Sequence, residues 1–247
     1  MLRSASILSA QSLPCLALIA LGWGFNNLSL FFSNPARGGL ICVTTVATVL
    51  AAVSKLDFNP LRKGEVASGS QSLQLGVLLI LSLALLWFLP FADRRKILTL
   101  QHDYWRYVGL LLFTIGVVAR IAALKALGEN FIAYVTLQPN HRLVQDGIYA
   151  SIRHPLYLSL LLIPTGIALV FASLLAVPIL ILAVLFVVDR IAKEDRLLAS
   201  RFGSEFDDYQ RRTRRLIPFV LERLHARKSR CPCPSDVRHG RTVGRRI

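Results

Sequence analysis

The chain has 247 residues, with 29 Lys and Arg against 14 Asp and Glu, a formal charge of +15. A soluble protein this basic would point to nucleic acid. Here 54% of residues are hydrophobic and mean hydropathy is +0.53, so membrane lipid, not nucleic acid, is the expected partner. The charge is also uneven: from Arg190 onward 16 Lys/Arg stand against 7 Asp/Glu, a net of +9. Under the positive-inside rule that is the cytoplasmic end.

A membrane helix needs about 20 mainly apolar residues. In chain order the sequence offers 13–32, 38–54, 74–92 and 107–124, then one long apolar block, 156–188. As a single helix that block would run about 50 Å against a hydrocarbon core of about 30 Å. The expectation is therefore a helical hairpin turning at Phe171-Ala172-Ser173, with arms short enough to need bilayer thinning or burial. This gives an all-α, polytopic membrane helix bundle of about six transmembrane helices, followed by cytoplasmic helices. Five spans is the alternative if the hairpin only dips in. The first span reads as uncleaved, since no small-residue cleavage site follows Leu13.

Three regions are expected: N-terminal transmembrane helices over 1–125, a core over 126–220, and a basic tail over 221–247. The 55–72 loop, with Pro60, Gly64 and Gly69, falls on the cytoplasmic side together with 125–155. The 93–106 loop is a misfit, because Arg94, Arg95, Lys96 and Arg106 would face outward, only partly offset by Asp93 and Asp103. Beyond Lys193, the apolar residues Leu197, Leu198, Phe202, Phe206 and Tyr209 keep helical spacing, and Gly203 marks a break. The Arg- and Pro-rich tail reads as a tether to anionic lipid. Cys15 and Cys42 lie in apolar spans and Cys231 and Cys233 in the tail, without metal-site spacing.

Ionisable groups at a membrane boundary are costly unless they pair, snorkel or do chemistry. Two polar stretches precede the hairpin, His141-Arg142-Leu143-Val144-Gln145-Asp146-Gly147-Ile148-Tyr149 and Arg153-His154-Pro155-Leu156-Tyr157, and Asp189-Arg190 with Lys193-Glu194-Asp195 follow it. Pro155 suits the first turn of a helix, with His154 at its mouth and Tyr157 nearly on the same face. The free N–H groups there favour an anion such as a carboxylate. Gly147 permits a tight turn that brings Tyr149 near that helix start, and the main chain of His141 to Val144 is available to an extended ligand. Arg190 and Glu194 share one helical face. A hairpin returns its second arm to where the first began, so this pair is expected to approach His154 and Tyr157. Each element has a plainer reading, as interfacial anchors, an ordinary loop or an exposed ion pair.

The string His-x-Leu-Val-x-x-Gly-x-Tyr, Arg-His-Pro-x-Tyr, a paired acid, Phe-Gly-x-x-(aromatic)-x-x-Tyr and Ile-Pro, over roughly 127–219, resembles the isoprenylcysteine carboxyl methyltransferase family. These are integral-membrane methyltransferases related to phospholipid N-methyltransferases. The resemblance implies that His141, Arg142, Leu143, Val144, Tyr149, His154, Pro155, Leu156, Tyr157 and Glu194 hold S-adenosyl-L-methionine. It places Arg190 on the substrate side. The first hundred residues resemble the family only as membrane spans. Departures from the family pattern are Asp195 for Glu, Ala150 for Arg, Ser159 for Gly and Phe206 for Tyr. The implied activity is methyl transfer to a lipophilic acceptor entering from the bilayer, at a site facing the cytoplasm. An ionised carboxylate already presents its nucleophilic lone pair, so no general base is needed and no residue is assigned beyond positioning. Arg190 beside a neutral amine would be a poor neighbour, which favours a carboxylate over a phospholipid amine. An NADPH-dependent isoprenoid or sterol reductase and a non-catalytic scaffold or transporter are the other readings.

Overall fold

A computed structural model describes residues 14–53, 69–128 and 143–216. Within them the order is α1 (Pro14–Trp23), a short 3-10 turn and α2 (Leu28–Phe32), α3 (Pro35–Val53), α4 (Gly69–Arg94), α5 (Tyr104–Leu127), a 3-10 turn at Gly147–Ala150, α6 (Pro155–Val170), a 3-10 turn at Leu174–Ala176, α7 (Val177–Phe202) and α8 (Ser204–Arg212). No strand occurs among the described residues; two isolated bridges pair Thr99 with Ser173 and Ile152 with Arg214. The all-α membrane bundle is thus observed. Four helices are long and apolar enough to cross a membrane, and five if the bent pair α1 and α2 counts as one span.

The expected first span departs most from a straight helix. Its two halves meet at 75°, because Gly24 takes φ 92° and leaves the helix. The bend is held from both sides: the Trp23 indole donates to Asn27 O at 2.9 Å, and the Arg94 guanidinium donates to Trp23 O. A hydropathy average runs across such a break without detecting it.

The long apolar block forms the expected hairpin and turns where its length demanded. α6 ends at Val170, and Ala172 adopts a left-handed φ of 47°. The turn is clamped onto the 95–103 loop, with Leu100 N donating to Ala172 O at 2.7 Å and Leu174 N to Leu98 O at 2.9 Å. At 16 residues α6 spans only about 24 Å, less than a hydrocarbon core. It is compensated by burial against α5. A Cβ at Gly109 would meet Val170 N at 2.6 Å, and one at Gly166 would meet Phe113 N at 2.6 Å. Glycine at both positions lets the two backbones touch, the small-residue packing typical of membrane helices.

Part of the misfit loop's charge is paired at the same end of the bundle. Asp93, 5% exposed, takes Arg106 at 2.7 Å and Arg37 at 3.0 Å. Arg106 also donates to Val170 O at the hairpin turn, and Arg37 stacks over Trp23. Arg37 and Arg106 therefore hold the bundle together and Arg94 braces the bend, while Arg95 and Lys96 of the loop are exposed.

α7 continues without interruption for 26 residues, about 39 Å, carrying the chain from apolar Val177 to polar Arg201. Gly203, at φ 50°, ends it and α8 begins at once. Phe206 and Tyr209 are buried, while Leu197, Leu198 and Phe202 are half-buried, so the apolar stripe continues onto α8.

Candidate active site at the open end of the hairpin

Opposite the turn, the start of α6 meets the middle of α7. Pro155 occupies the first helical position, and His154 caps the helix with its backbone only. The His154 carbonyl accepts the first helical bond from Leu158 N at 3.1 Å. No side chain caps this end, so the N–H groups of Leu156 and Tyr157 keep their donor capacity at the positive end of the helix dipole.

Tyr157 lies one turn in and joins the two helices. Its hydroxyl donates to Glu194 Oε2 at 2.7 Å and accepts from Arg190 Nε at 3.2 Å. The Arg190 guanidinium sits 5.8 Å from the Tyr157 ring centroid and 5.6 Å from that of Phe186. Glu194 Oε1 lies 3.7 Å from His154 Nδ1, too far for a hydrogen bond. The Glu194 side chain is 33% exposed, so this carboxylate retains acceptor capacity toward a ligand. Tyr149 is buried in the 3-10 turn after Gly147, whose φ is 61°. Burial, with the Glu194 charge nearby, pushes the Tyr149 phenol upward, so it stays neutral.

Hence Tyr149, His154, Pro155, Tyr157, Arg190 and Glu194 gather at one end of the hairpin. Leu143 and Val144 precede the 3-10 turn, and Leu156 is in the first turn of α6; all three are half-buried and contribute apolar surface. His141 and Arg142 lie outside the described residues, as does the 221–247 tail.

Sequence reasoning missed two supports. The first is Asp195, whose Oδ1 lies 2.9 Å from His154 Nε2 and fixes the ring, while its Oδ2 pairs with Arg215 at 3.0 Å. The second is the 213–216 segment, which returns beside the start of α6. Arg153 N donates to Arg214 O at 2.7 Å, His154 N to Arg215 O at 3.1 Å, and Arg214 N to Ser151 O at 3.0 Å. Beyond it, Tyr209 Oη donates to Tyr149 O at 2.9 Å, and Gln145 bridges Glu205 at 3.2 Å and Arg212 at 3.3 Å. The only available signal was the acid following Glu194, one residue off its helical face. Among the described residues no three His, Cys, Asp or Glu side chains gather as a metal site.

Comparison with known proteins is consistent with this geometry. The model of the isoprenylcysteine carboxyl methyltransferase family matches residues 108–200. The match begins within α5, earlier than the 127 read from the motifs, in keeping with the close α5–α6 packing. A protein-S-isoprenylcysteine O-methyltransferase of Tribolium castaneum is 34% identical over 125 residues, 49% of this chain and 44% of its own. The cobalt-zinc-cadmium resistance protein CzcN of Cupriavidus metallidurans is 36% identical over 121 residues, 47% of this chain and 55% of its own. The chain thus spans about half the length of these two relatives. The solved structure of a eukaryotic intramembrane Ras methyltransferase, itself an isoprenylcysteine carboxyl methyltransferase, shares the fold. Its TM-score is 0.52 at 22% identity, covering 83% of this chain and 73% of that one. Over its matched core, residues 108–200, this chain is similar to the isoprenylcysteine carboxyl methyltransferase family, and it shares that solved structure's membrane-helical fold.

Proposed function

We propose that the chain is a multi-pass membrane methyltransferase that transfers a methyl group from S-adenosyl-L-methionine to the carboxylate of a lipophilic acceptor. The observation that carries the reading is the Tyr157 hydroxyl, shared between Glu194 and Arg190 beside an uncapped helix start.

The residues fit the donor's chemistry. The free N–H groups opening α6 suit its carboxylate, and Glu194 suits its ammonium or hydroxyl groups. The apolar faces of Leu143, Val144 and Tyr149 suit its ring system, with His141 and Arg142 as further candidate contacts. When bound, it supplies an electrophilic methyl on a sulfonium. The protein's task is positional. Asp195 holds His154, and Tyr157 holds Glu194 in register with Arg190, which orients an acceptor carboxylate in line with the methyl. Water exclusion by the apolar hairpin strips the carboxylate of hydration and raises its reactivity. The basic C-terminal segment, which favours the cytoplasmic side, supports a site that faces the cytoplasm.

The test is transfer of labelled methyl by protein purified in detergent, with N-acetyl-S-farnesylcysteine as the acid acceptor and phosphatidylethanolamine as the amine. Alkali-labile label on the acid alone is expected. Label on the amine alone would overturn the carboxylate assignment, and no calorimetric binding of the donor by folded protein would overturn methyl transfer. Glu194→Gln is expected to weaken donor binding about tenfold or more, the worth of one charge-assisted hydrogen bond.

A further inference from the structure

The chain leaves α4 through Arg94-Arg95-Lys96-Ile97-Leu98, a turn that carries three cations and two apolar side chains. Two backbone bonds close it, Ile97 N to Ala92 O at 2.9 Å and Lys96 N to Asp93 O at 3.1 Å. In this pattern the residue after the helix cap takes the left-handed conformation, which glycine fills without strain. Lys96 takes it instead, at φ 55°, and Leu98 follows at φ 47°. A side chain makes that region costly. Lys96 is exposed and Leu98 is 61% exposed, so core packing does not account for the choice. Strain held at such positions points to a function that needs those side chains.

Below this turn α4 buries Leu85 and Leu89 in the core and leaves Trp87 and Phe88 exposed. Trp87 stacks with Phe91, the ring centroids 6.0 Å apart and the planes within 8° of parallel, and Phe88 lies 6.2 Å from Phe91. The Arg95 guanidinium sits 5.5 Å from the Phe91 centroid. Positions 87, 91 and 95 are steps of four, hence one helical face. The result is an aromatic ladder with a cation on its top rung and a second cation beside it. Asp93 is taken by Arg37 and Arg106, and Asp103 by Arg106. Among the described residues no ion pair neutralises Arg95 or Lys96. Rings and cations anchor many helices at a bilayer edge, but anchoring alone needs neither a strained lysine nor two uncompensated charges at the end expected to face outward.

We propose that Arg95 and Lys96, with the Trp87–Phe88–Phe91 ladder beneath them, form a binding site for one anionic phospholipid of the bilayer. Its phosphate accepts charge-assisted hydrogen bonds from both cations, and its acyl chains lie along the exposed aromatic face. The headgroup supplies the counter-charge that the protein itself does not. The same loop clamps the hairpin, through Leu174 N to Leu98 O and Leu100 N to Ala172 O, so a lipid held there steadies the turn opposite the candidate active site. This site is separate from that one and does not depend on the methyl-transfer reading.

The experiment uses the full chain in detergent micelles with Trp105→Phe as background, so that Trp87 reports while Trp23 is buried. Lipids brominated on their acyl chains quench an indole they touch. Brominated phosphatidylglycerol is expected to reach half-quenching at about one tenth, or less, of the mole fraction that brominated phosphatidylcholine requires. Arg95→Gln combined with Lys96→Gln should bring the two lipids to within about twofold, and Arg95→Lys combined with Lys96→Arg should keep most of the preference. Lys96→Gly separates binding from folding. It relieves the left-handed backbone, so the thermal midpoint in lipid-free detergent should rise while the preference falls about threefold. Arg201→Gln combined with Arg211→Gln makes the same charge change at the other end and should leave the preference intact. Excess glycerol phosphate, the headgroup without chains, should not restore the fluorescence. Equal quenching by both lipids, a preference undiminished by the paired glutamines, or an equal loss in the Arg201 and Arg211 variant would each overturn the proposal. So would displacement by glycerol phosphate, which marks a soluble-anion site, or a Lys96→Gly protein that loses stability along with the preference, which marks the lysine as structural.

Discussion

Asp195 shows how a single carboxylate holds a site it does not line. It fixes the His154 ring on one oxygen and pairs with Arg215 on the other, so the start of α6, the middle of α7 and the 213–216 segment meet at one side chain. Asp195→Ala leaves two donors without their acceptor and is expected to cost about 2–3 kcal/mol, read as a lowered thermal midpoint in detergent. Asp195→Asn preserves an acceptor for His154 and is expected to lose less than half of that. Tyr209 supports the site from α8, and burial pushes its phenol up to about 12. The unfolded phenol titrates near 10, so in alkali the unfolded state loses its proton first. The stability Tyr209 contributes is thus fully present below about pH 10 and is lost as pH rises toward 12. Thermal midpoints between pH 9 and 12 should fall more steeply for wild type than for Tyr209→Phe. The approach of Tyr157 to Arg190 and Glu194 was legible because a hairpin of that length fixes which ends meet. Asp195 was not, since its partners lie 41 positions upstream in His154 and 20 downstream in Arg215, and no local periodicity encodes such a triad.

At the scale of elements, the hairpin is set by two physical constraints. The apolar block is too long to cross once, and α6 is too short to face lipid without a partner. α5 supplies that partner through Gly109 and Gly116, with Gly166 facing it from α6. Gly166→Ala would place a Cβ within 2.7 Å of Phe113 backbone atoms. It is expected to force the helices apart and cost about 1–3 kcal/mol, as overpacking does, with a fall in thermal midpoint in detergent. Gly116→Ala meets mostly the side chains of Ile163 and Leu162 and should cost less. The turn at Phe171-Ala172-Ser173 was legible from length alone. The bend at Gly24 was not, because it depends on Arg94 and Trp23, contacts that composition cannot reveal.

For the whole molecule, the two ends of the bundle differ in what they do with charge. One end locks Arg37 and Arg106 onto Asp93; the other leaves Glu194 accessible beside Arg190. The long α7 joins these ends, so the 95–103 loop and α8 are expected on opposite faces of the membrane. In a background with all four cysteines replaced by serine, His102→Cys should react with a membrane-impermeant maleimide from outside intact cells. Asp207→Cys should react only after permeabilisation. Labelling of both from the same side would refute the proposed topology. Of the cations in the 93–106 loop, Arg106 is neutralised by Asp93 and Asp103, while Arg95 and Lys96 keep their exposed charge.

The Arg37–Asp93 pair also constrains how the chain can be made. Its partners are 56 residues apart in sequence, so at about 5–20 residues per second the arginine is synthesised several seconds before its aspartate exists. Arg106 gains Asp93 at once but must wait 64 residues for Val170 O. Until the segment containing Asp93 is made, Arg37 in the first turn of α3 has to be accommodated at the membrane boundary without its carboxylate.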